Sequence, residues 1–425
     1  MGPTQPTDSS TGPLYRASLR LFDRLPPTLD LRDEVQLDSL LATADALLSR
    51  VDGDQALEAM ECLLAATPDD WPLTAHVAVK LARSKARLAA LDGPLHLSVV
   101  LPVYGEHERI LRPHEHPLGE GFLDRKLRQL DWLIGPRARS RFELLVVDDG
   151  CPNGSGALAE EILASRHRAA EARVLYLRDA LKQRLPVVSG LHSTDESRKG
   201  GAVQLGLFAA TQVIRPGHVV LYTDADLSTH LGQTGLLLDA LARPGIRLAA
   251  GSRRAKQSVV VKGAGRSARG RLFIYLWKQL LPELAYLEDT QCGFKAMHAR
   301  TAAALSASPR ERGFAFDLEL LLRTELSQRR SIASVPIAWI DSEAASTTTE
   351  LSPYLPMLRS AARLYRHHLH TRPTAEAFAR VIEQLDDPTW AAAIERIGPR
   401  LEALDPRLDR ETRPFAPEAL LDAAA

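Results

Sequence analysis

From residue 97 onward, short apolar runs alternate with stretches of helical apolar spacing, and this alternation restricts the possible folds more than any other feature. The apolar runs predict strands near 97–103, 142–147, 173–178, 218–223 and 247–250. The segments between them predict helices near 121–134, 156–170, 200–213 and 231–243. Alternation of this kind builds an α/β fold with a mostly parallel sheet and helices on both faces. Such sheets bind ligands at the carboxyl ends of their strands.

Two carboxylates, Asp224 and Asp226, directly follow the fourth predicted strand. Carboxylate oxygens are the ligands that Mg²⁺ and Mn²⁺ prefer, and such a metal usually also binds substrate phosphates. Acidic residues are common in loops as well, so the pair takes its meaning from its neighbours. We therefore expect a metal-bound nucleotide diphosphate if other polar loops meet at the same edge of the sheet.

Three further segments are predicted to meet at this edge. The first strand runs into Tyr104-Gly105-Glu106, and the second runs into Asp148-Asp149-Gly150. Lys199-Gly200-Gly201 opens a predicted helix, where backbone N–H groups and the helix dipole suit an anion. The sequence thus predicts a phosphate-binding rim.

The motifs that carry this chemistry also occur in the order and approximate spacing found in one known family. They are Pro102–Glu106, Val147–Gly150, Lys199–Ala202, Asp224–Asp226, Gly251–Arg253, Asp289–Lys295 and Phe316–Leu320. The chain resembles family 2 glycosyltransferases of GT-A fold, in particular dolichyl-phosphate glucosyltransferases and related polyprenyl-phosphate sugar transferases. The resemblance covers about residues 96–346. It implies a Rossmann-like GT-A catalytic domain, which we assign to residues 96–350.

By this resemblance, Pro102, Tyr104 and Glu106 line a nucleoside pocket. Asp148 or Asp149 would accept a hydrogen bond from the base or from a ribose hydroxyl, although Asp-Gly is also a common turn sequence.

The resemblance further implies that Asp226 ligates Mg²⁺ or Mn²⁺ and that Asp224 is shared between the metal and the donor sugar or ribose. Lys199 would contact the donor phosphates or position the acidic loop. A divalent cation would stabilise the charge that develops on the leaving phosphate oxygen.

Asp289 is the residue to which the resemblance gives the role of base in an inverting transfer, with Gln291 beside it. We expect the nearby diphosphate to raise the pKa of Asp289, unless this residue is simply a helix cap. The acceptor phosphate would bind to basic and polar side chains in a second segment, which are Arg253, Arg266, Ser267 and Arg269. Residues 262–271 could instead form a solvated basic face.

Two departures from the family leave the acceptor open. Residues 179–197 look like an insertion beside the site, and Ala345–Leu351 replaces a segment in which the family carries a phosphate-binding lysine. The predicted reaction is transfer of a hexose, by resemblance glucose from UDP-glucose, to polyprenyl phosphate or to a hydroxyl of a soluble acceptor.

The remaining segments predict a flexible tail over 1–29, a helical extension over 30–95 and a second helical extension over 351–425. The formal net charge is zero, which gives no reason to expect nucleic acid binding. Three cysteines without metal-ligand spacing, and the absence of a leader pattern, predict a cytoplasmic protein. No apolar stretch reaches membrane-spanning length, so we expect at most peripheral contact at the inner membrane face. An apolar stripe at Leu358, Ala361, Ala362, Tyr365 and Leu369 fits either an interfacial helix or packing on the catalytic domain.

Two rival functions fit the sequence less well. A sugar nucleotidyltransferase normally has a Gly-rich, Arg-containing loop after the first strand, and Pro102–Glu106 is not such a loop. A catalytically silent scaffold, binding partners through residues 30–92, would have no chemical need for Lys199, Asp224, Asp226 and Asp289 together.

Overall fold

The computed structural model describes residues 19–168, 170–261, 267–341, 354–402 and 415–421. Its central sheet is built from strands β1 (Leu95–Val103), β2 (Ser140–Asp148), β3 (Ala172–Tyr176), β4 (His218–Thr223), β5 (Leu248–Ser252), β7 (Phe294–His298) and β8 (Ile332–Pro336). The strand order is β3-β2-β1-β4-β7-β5-β8. All neighbouring strands are parallel except those that pair with β7. Strands β6 (Val259–Val261) and β9 (Ala338–Ile340) form a separate parallel pair. The predicted α/β fold with a mostly parallel sheet is confirmed.

Helices cover both faces of the central sheet, as expected from the side-chain alternation of its strands. They are α4 (Phe122–Ile134), α5 (Ser155–Ser165), α6 (Leu177–Lys182), α7 (Gly200–Ala210), α8 (Thr234–Ala242), α9 (Ser267–Leu280), α10 (Ala299–Ser306) and α11 (Phe316–Ser327). Val100 of β1 faces a core formed with α7 and α9, whereas Val99 and Leu101 face a core formed with α4 and α8. Each face of β1 is thus completely covered.

The strand β7 runs against its neighbours, and this reversal positions the functional rim. It pairs with β4 through Tyr222↔Lys295 and Thr223↔Phe294. Because β7 is antiparallel, its amino end lies beside the carboxyl ends of β4 and β5. The loop before β7, which contains Asp289, therefore joins the loops that follow the parallel strands.

Three helices precede the sheet in the described part of the chain: α1 (Glu34–Arg50), α2 (Gly53–Ala66) and α3 (Leu73–Ala90). Asp33 caps α1 by accepting from the N–H groups of Val35 and Gln36. Helix α3 contacts α8 and thereby fixes the three helices to the catalytic region. The prediction of a flexible tail is wrong for residues 19–29, because Phe22 is buried in the same core; residues 1–18 lie outside the described residues.

The chain ends in helices α12 (Tyr354–His368), α13 (Pro373–Gln384) and α14 (Asp387–Glu402). Leu358, Ala361 and Ala362 are fully buried, and α12 packs on α9 and α13. The stripe is therefore part of the core, which agrees with the packing alternative and removes the interfacial one. Within the described ranges, no helix is both long and apolar enough to cross a membrane.

Candidate active site

The Asp224 loop is joined to the loop before β7 by backbone contact. Asp224 N donates to the carbonyl of Gly293 at 3.2 Å, which extends the β4–β7 ladder by one residue. A Cβ on Gly293 would lie 2.2 Å from Asp224 Oδ1. Only glycine therefore lets the two segments approach so closely.

Lys199 binds Asp224 through a direct ion pair between its Nζ and Oδ1. Burial alone would raise the pKa of Asp224, but the ammonium of Lys199 outweighs burial and holds this pKa below its ordinary value. Lys199 has φ +74° and ψ −40°, a strained backbone geometry that is rare outside glycine. The conformation is held by Asp149, whose Oδ2 accepts from Lys199 N at 2.7 Å.

Asp226 lies on the same loop and is partly exposed. Its Oδ1 accepts from Ser228 N at 3.0 Å. Burial, followed by the charge of Asp224, raises the pKa of Asp226 above its ordinary value. Two neighbouring carboxylates that oppose each other's ionisation are a set of hard oxygens that a divalent cation would neutralise. The residues present therefore fit Mg²⁺ or Mn²⁺ at Asp224 and Asp226.

A buried lysine beneath this pair was missed by the sequence analysis. Lys126 of α4 is completely buried, and its Nζ has no hydrogen-bond partner among the described residues. Burial lowers its pKa to about 8, while the charges of Asp226 and Asp224 act in the opposite direction. Its signal in the sequence is its spacing, four residues after the buried Phe122 and four before the buried Leu130. A lysine on the apolar stripe of a helix requires a partner charge.

Asp289 is paired with Arg253. Arg253 Nε donates to Asp289 Oδ2 at 2.7 Å and Nη2 donates to Oδ1 at 2.9 Å. Burial would raise the pKa of this carboxyl, but the guanidinium holds it well below its usual range. In the protein without a bound diphosphate the pKa is thus lowered, and the rise expected from a neighbouring diphosphate stays a prediction. Gln291 lies next to the pair, and its backbone N donates to Asp289 Oδ1 at 3.1 Å.

The same pairing involves Arg253, a residue of the predicted acceptor site. Arg253 is occupied by Asp289, and its guanidinium also lies 5.6 Å from the centre of the Trp339 ring. These contacts use Nε and Nη2 of the guanidinium, and the role of Arg253 in binding the acceptor phosphate stays a prediction. Arg266 lies outside the described residues, as do the side chains of Ser267 and Arg269 at the start of α9, so their assignment stays a prediction.

The two aspartates after β2 are directed at the protein backbone. Asp148 accepts from the N–H groups of Gly150, Cys151 and Gly156 at 2.8–2.9 Å, so it fixes the turn into α5. Asp149 accepts from Ser197 Oγ at 2.5 Å as well as from Lys199 N. A role in binding the base or ribose stays a prediction for both, and their observed contacts position the site.

The other side chains predicted to line the nucleoside pocket lie in three different environments. Pro102 is buried within β1, and Tyr104 is 55% exposed. Glu106 is buried and paired with Arg109, a residue that the sequence analysis did not single out. Burial, opposed by Arg109, raises the pKa of Glu106 to about 7. Tyr104 is thus the residue of the three that is open to a ligand.

The start of α7 is more enclosed than expected. Gly201 N–H donates to Ser197 Oγ at 3.1 Å and to the Arg312 carbonyl at 3.2 Å. This N–H therefore does not face a ligand.

An arginine-rich cleft of about 500 Å³ opens beside Lys199. Its walls come from the 190–198 segment, the loop before α11, and α12. They carry five arginines, two glutamates and exposed apolar surface; the arginines are Arg198, Arg310, Arg312, Arg359 and Arg363. Arg312 is buried and donates to the Val187 carbonyl, so it supports the cleft wall. The predicted insertion thus forms one side of a basic cleft.

Comparison with known proteins relates the chain to sugar transferases. No protein-family profile matches it. It is 26% identical over 283 residues to dolichyl-phosphate β-glucosyltransferase of Drosophila melanogaster, which covers 64% of this chain and 75% of that protein. The mouse (Mus musculus) protein of the same name is 28% identical over 262 residues, covering 59% of this chain and 70% of that protein. Glycosyltransferase AglD of Haloferax volcanii is 26% identical over 251 residues, covering 59% of this chain and 34% of AglD.

Two solved structures give weaker likenesses. Glucosyl-3-phosphoglycerate synthase of Mycobacterium tuberculosis, in complex with Mn²⁺, UDP-glucose and phosphoglyceric acid, has a TM-score of 0.44 and 20% identity, covering 68% of this chain and 85% of that one. A mannosyltransferase of Pyrobaculum calidifontis, in complex with GDP-mannose and Mn²⁺, has a TM-score of 0.38 and 17% identity, covering 87% and 97%.

The sequence matches relate the chain, at 26–28% identity, to one class of proteins, the sugar transferases named above. Within this class its curated relatives include dolichyl-phosphate β-glucosyltransferases, and the resemblance drawn from the motifs is confirmed.

Proposed function

We propose that the protein is a metal-dependent, inverting hexosyltransferase that moves glucose from UDP-glucose to polyprenyl phosphate. The names of its curated relatives support the acceptor class and the sugar. The observation that carries the proposal is the shared rim, where the Asp224–Asp226 pair, Lys199 and the Asp289–Arg253 pair meet across the β4–β7 ladder.

Asp224 and Asp226 would hold Mg²⁺ or Mn²⁺, and the cation would stabilise charge on the leaving diphosphate. Lys199 positions Asp224 and adds a second positive charge next to the phosphates. Lys126 balances the acidic pair from inside the protein. With the cation bound, these residues would place net positive charge where the donor's negative charge develops.

The state of Asp289 supports a phosphate acceptor. A carboxylate whose pKa is held well below its usual range by Arg253 is a weak proton acceptor. A phosphate monoester has a second pKa near 6 and is mostly dianionic at neutral pH, so its oxygen attacks without losing a proton. Asp289 would then orient the acceptor and Arg253, rather than act as a general base.

The arginine-rich cleft supplies an acceptor site of suitable chemistry. Arg198 and Arg310 would bind the phosphate, and the exposed ring of Phe314 together with Met357 would contact the isoprenyl chain. The cleft begins one residue from Lys199, which pairs with Asp224, so an acceptor held there would approach the donor. In this proposal the protein is cytoplasmic and meets its lipid peripherally, at the inner face of a membrane.

The experiment that tests the function is product analysis by mass spectrometry. The purified chain is incubated with Mn²⁺ and a panel of nucleotide sugars, each with a polyprenyl phosphate, the matching polyprenol, and glycerate-type soluble acceptors. We expect glucosyl phosphopolyprenol from UDP-glucose, with a β anomer by NMR from the α-linked donor. Asp226→Ala is the matched inactive control. Product on the soluble hydroxyl acceptors alone would overturn the acceptor, and retention of the α anomer would overturn inversion.

A further inference from the structure

A cluster of two histidines and one glutamate lies at the amino ends of the parallel strands, at the edge opposite the rim. His96 and Ser98 belong to β1, Glu143 to β2 and His218 to β4. His96 is in register with His218, and Ser98 is in register with Glu143. Residues in register on neighbouring strands point to the same face of a sheet, so all four side chains meet. Seven residues of strand separate His96 from Val103, which places the cluster about 23 Å from the rim.

The polar atoms of this cluster converge. Ser98 Oγ donates to Glu143 Oε1 at 2.6 Å and lies 2.9 Å from His218 Nε2. His96 Nε2 is 3.6 Å from Glu143 Oε1. One ligand atom from each of His96, Glu143 and His218 falls within 4.8 Å of the others. The two imidazole rings lie edge to face, with their centres 4.5 Å apart.

The histidines have more hydrogen-bonding capacity than the described protein satisfies. His96 is only 8% exposed, yet neither of its ring nitrogens has a hydrogen-bond partner among the described residues. Buried polar side chains are almost always satisfied, so such an atom calls for an ion or a water. The carbonyl of Val213 faces the His218 ring, which leaves Nε2 as the nitrogen directed at the cluster.

Both imidazoles are neutral near pH 7 and can therefore donate a lone pair. Burial lowers the pKa of His96, and burial together with His96 lowers the pKa of His218 to about 4. Glu143 is partly exposed and provides one negative charge and a path from solvent. The charges of Arg215 and Arg141 oppose protonation of His96 and would also oppose a bound cation, so the carboxylate of Glu143 must offset them. A metal in this cluster would be bound mainly by the two imidazoles.

We propose that His96, Glu143 and His218 form a zinc site that joins the amino ends of β1, β2 and β4. Zinc takes imidazole nitrogens and carboxylate oxygens at 2.0–2.2 Å, and two ligands of a tetrahedral site lie about 3.4 Å apart. The 3.6 Å separation between His96 Nε2 and Glu143 Oε1 needs little adjustment to fit this geometry. Ser98 would orient the carboxylate, and a water would complete the tetrahedron from the Glu143 side. The site differs in chemistry from the all-oxygen pair at Asp224 and Asp226.

The test measures zinc binding to the chelator-treated full chain. Asp226→Ala is used as the background, so that the rim pair does not contribute. We expect one tight site by calorimetry, and Co²⁺ should give the intense visible absorption of tetrahedral coordination with nitrogen ligands. His96→Gln and Glu143→Gln should each weaken Zn²⁺ binding at least 100-fold. Ser98→Ala, a milder change, should weaken it about 10- to 100-fold.

His298→Gln is the matched control. His298 is exposed on β7 and is in register with Val219, so it points to the opposite face from His218. It should leave zinc affinity unchanged. Circular dichroism of each variant without metal tests whether the variant folds. If His96→Gln does not fold, Ser98→Ala and Glu143→Gln still test the site. Absence of a tight site, or equal Zn²⁺ affinity in Glu143→Gln and Asp226→Ala alone, would overturn the proposal.

Discussion

Arg253 donates two parallel hydrogen bonds, of 2.7 and 2.9 Å, to Asp289, which lies 36 residues away in the sequence. A third bond runs from Arg253 N to Asp289 Oδ2 at 3.0 Å. The charge of Arg253 also lowers the pKa of Asp224. One guanidinium therefore links the carboxylate proposed for the acceptor side to the pair proposed for the metal.

Replacing Asp289 by Asn should distinguish a positioning role from a general-base role. We expect turnover with polyprenyl phosphate to fall because Arg253 loses its charged partner, while the acidic limb of the pH–rate profile persists near pH 6. That limb would report the second ionisation of the acceptor phosphate. Comparing pH profiles of the wild type and Asp289→Asn checks this. Disappearance of the limb in the variant would instead assign the limb to Asp289 as a general base.

Removing one carboxylate of the rim pair should abolish metal-dependent nucleotide binding. Asp226→Ala removes a ligand, so we expect UDP affinity in Mn²⁺ to fall at least tenfold and to become insensitive to chelation. Titration calorimetry with and without EDTA measures both effects. Asp239→Ala, at an exposed ion pair on α8, is the matched control. Equal UDP affinity in wild type and Asp226→Ala would remove the metal from the mechanism.

Lys199 combines a functional ammonium with a strained backbone, and two variants separate these properties. Lys199→Ala and Lys199→Gly both lose the ion pair to Asp224, so both should bind UDP-glucose equally weakly. Glycine relieves the positive φ, and we expect Lys199→Gly to exceed Lys199→Ala in unfolding free energy by about 1–2 kcal/mol. Urea unfolding measures the difference. Equal stability of the two variants would show that the strain has no energetic cost.

Glu106 should make the protein less stable as the pH rises. Its folded-state pKa of about 7 lies above the ordinary value, so its contribution is fully present below about pH 4.5 and is lost as the pH rises toward 7. Glu106→Gln should remove this part of the pH dependence, on the order of 1–3 kcal/mol. Urea unfolding between pH 5 and 8, with EDTA present, tests it. A wild-type curve that keeps its slope in Glu106→Gln would assign the slope to other groups.

The apolar stripe of α12 should act as core. Leu358→Ala should cost about 2–5 kcal/mol of unfolding free energy because Leu358 is fully buried. Liposome flotation of the folded variant should match that of the wild type, since Leu358 does not reach the surface. A selective loss of flotation with unchanged stability would show instead that this stripe contacts the membrane.

Most of the parallel strands were predictable because they contain apolar runs, but the parallel edge strand β8 was not predicted. The predicted strand near 218–223 agrees with β4, and the one near 97–103 lies within β1. Strand β7 (Phe294–His298) was missed because Lys295 interrupts its apolar residues. Lys295 is buried, and its Nζ donates to Asp317 Oδ1 at 2.7 Å. A strand that contains a buried charged residue is not recognised from its apolar residues alone. Asp317 is buried by the same contact.

The sequence indicates which residues belong to the site better than it indicates which of them bind each other. The sequence indicates that Asp289 and Arg253 matter, but not that they bind each other, because the fold brings together residues 36 positions apart. Their pairing lowers the pKa of Asp289 in the protein without a bound donor, an effect that the sequence did not indicate. Lys126 was missed because a single lysine in an amphipathic helix is normally exposed.

The reversed strand β7 fixes one distance in the candidate site independently of the chain that precedes the strand. Hydrogen-bond register with β4 sets the distance between Asp224 and the segment after Asp289, so that distance does not depend on the length of the chain between β5 and β7. Residues 254–288, which include α9, form an excursion whose two ends are fixed to the same sheet. The helix within it is nevertheless part of the core, because Leu272, Tyr275 and Trp277 are buried and α9 packs on α12. The register with β4 therefore keeps the loop before β7 beside Asp224 whatever the length of the preceding segment, while the burial of α9 restricts the sequences that can replace that segment.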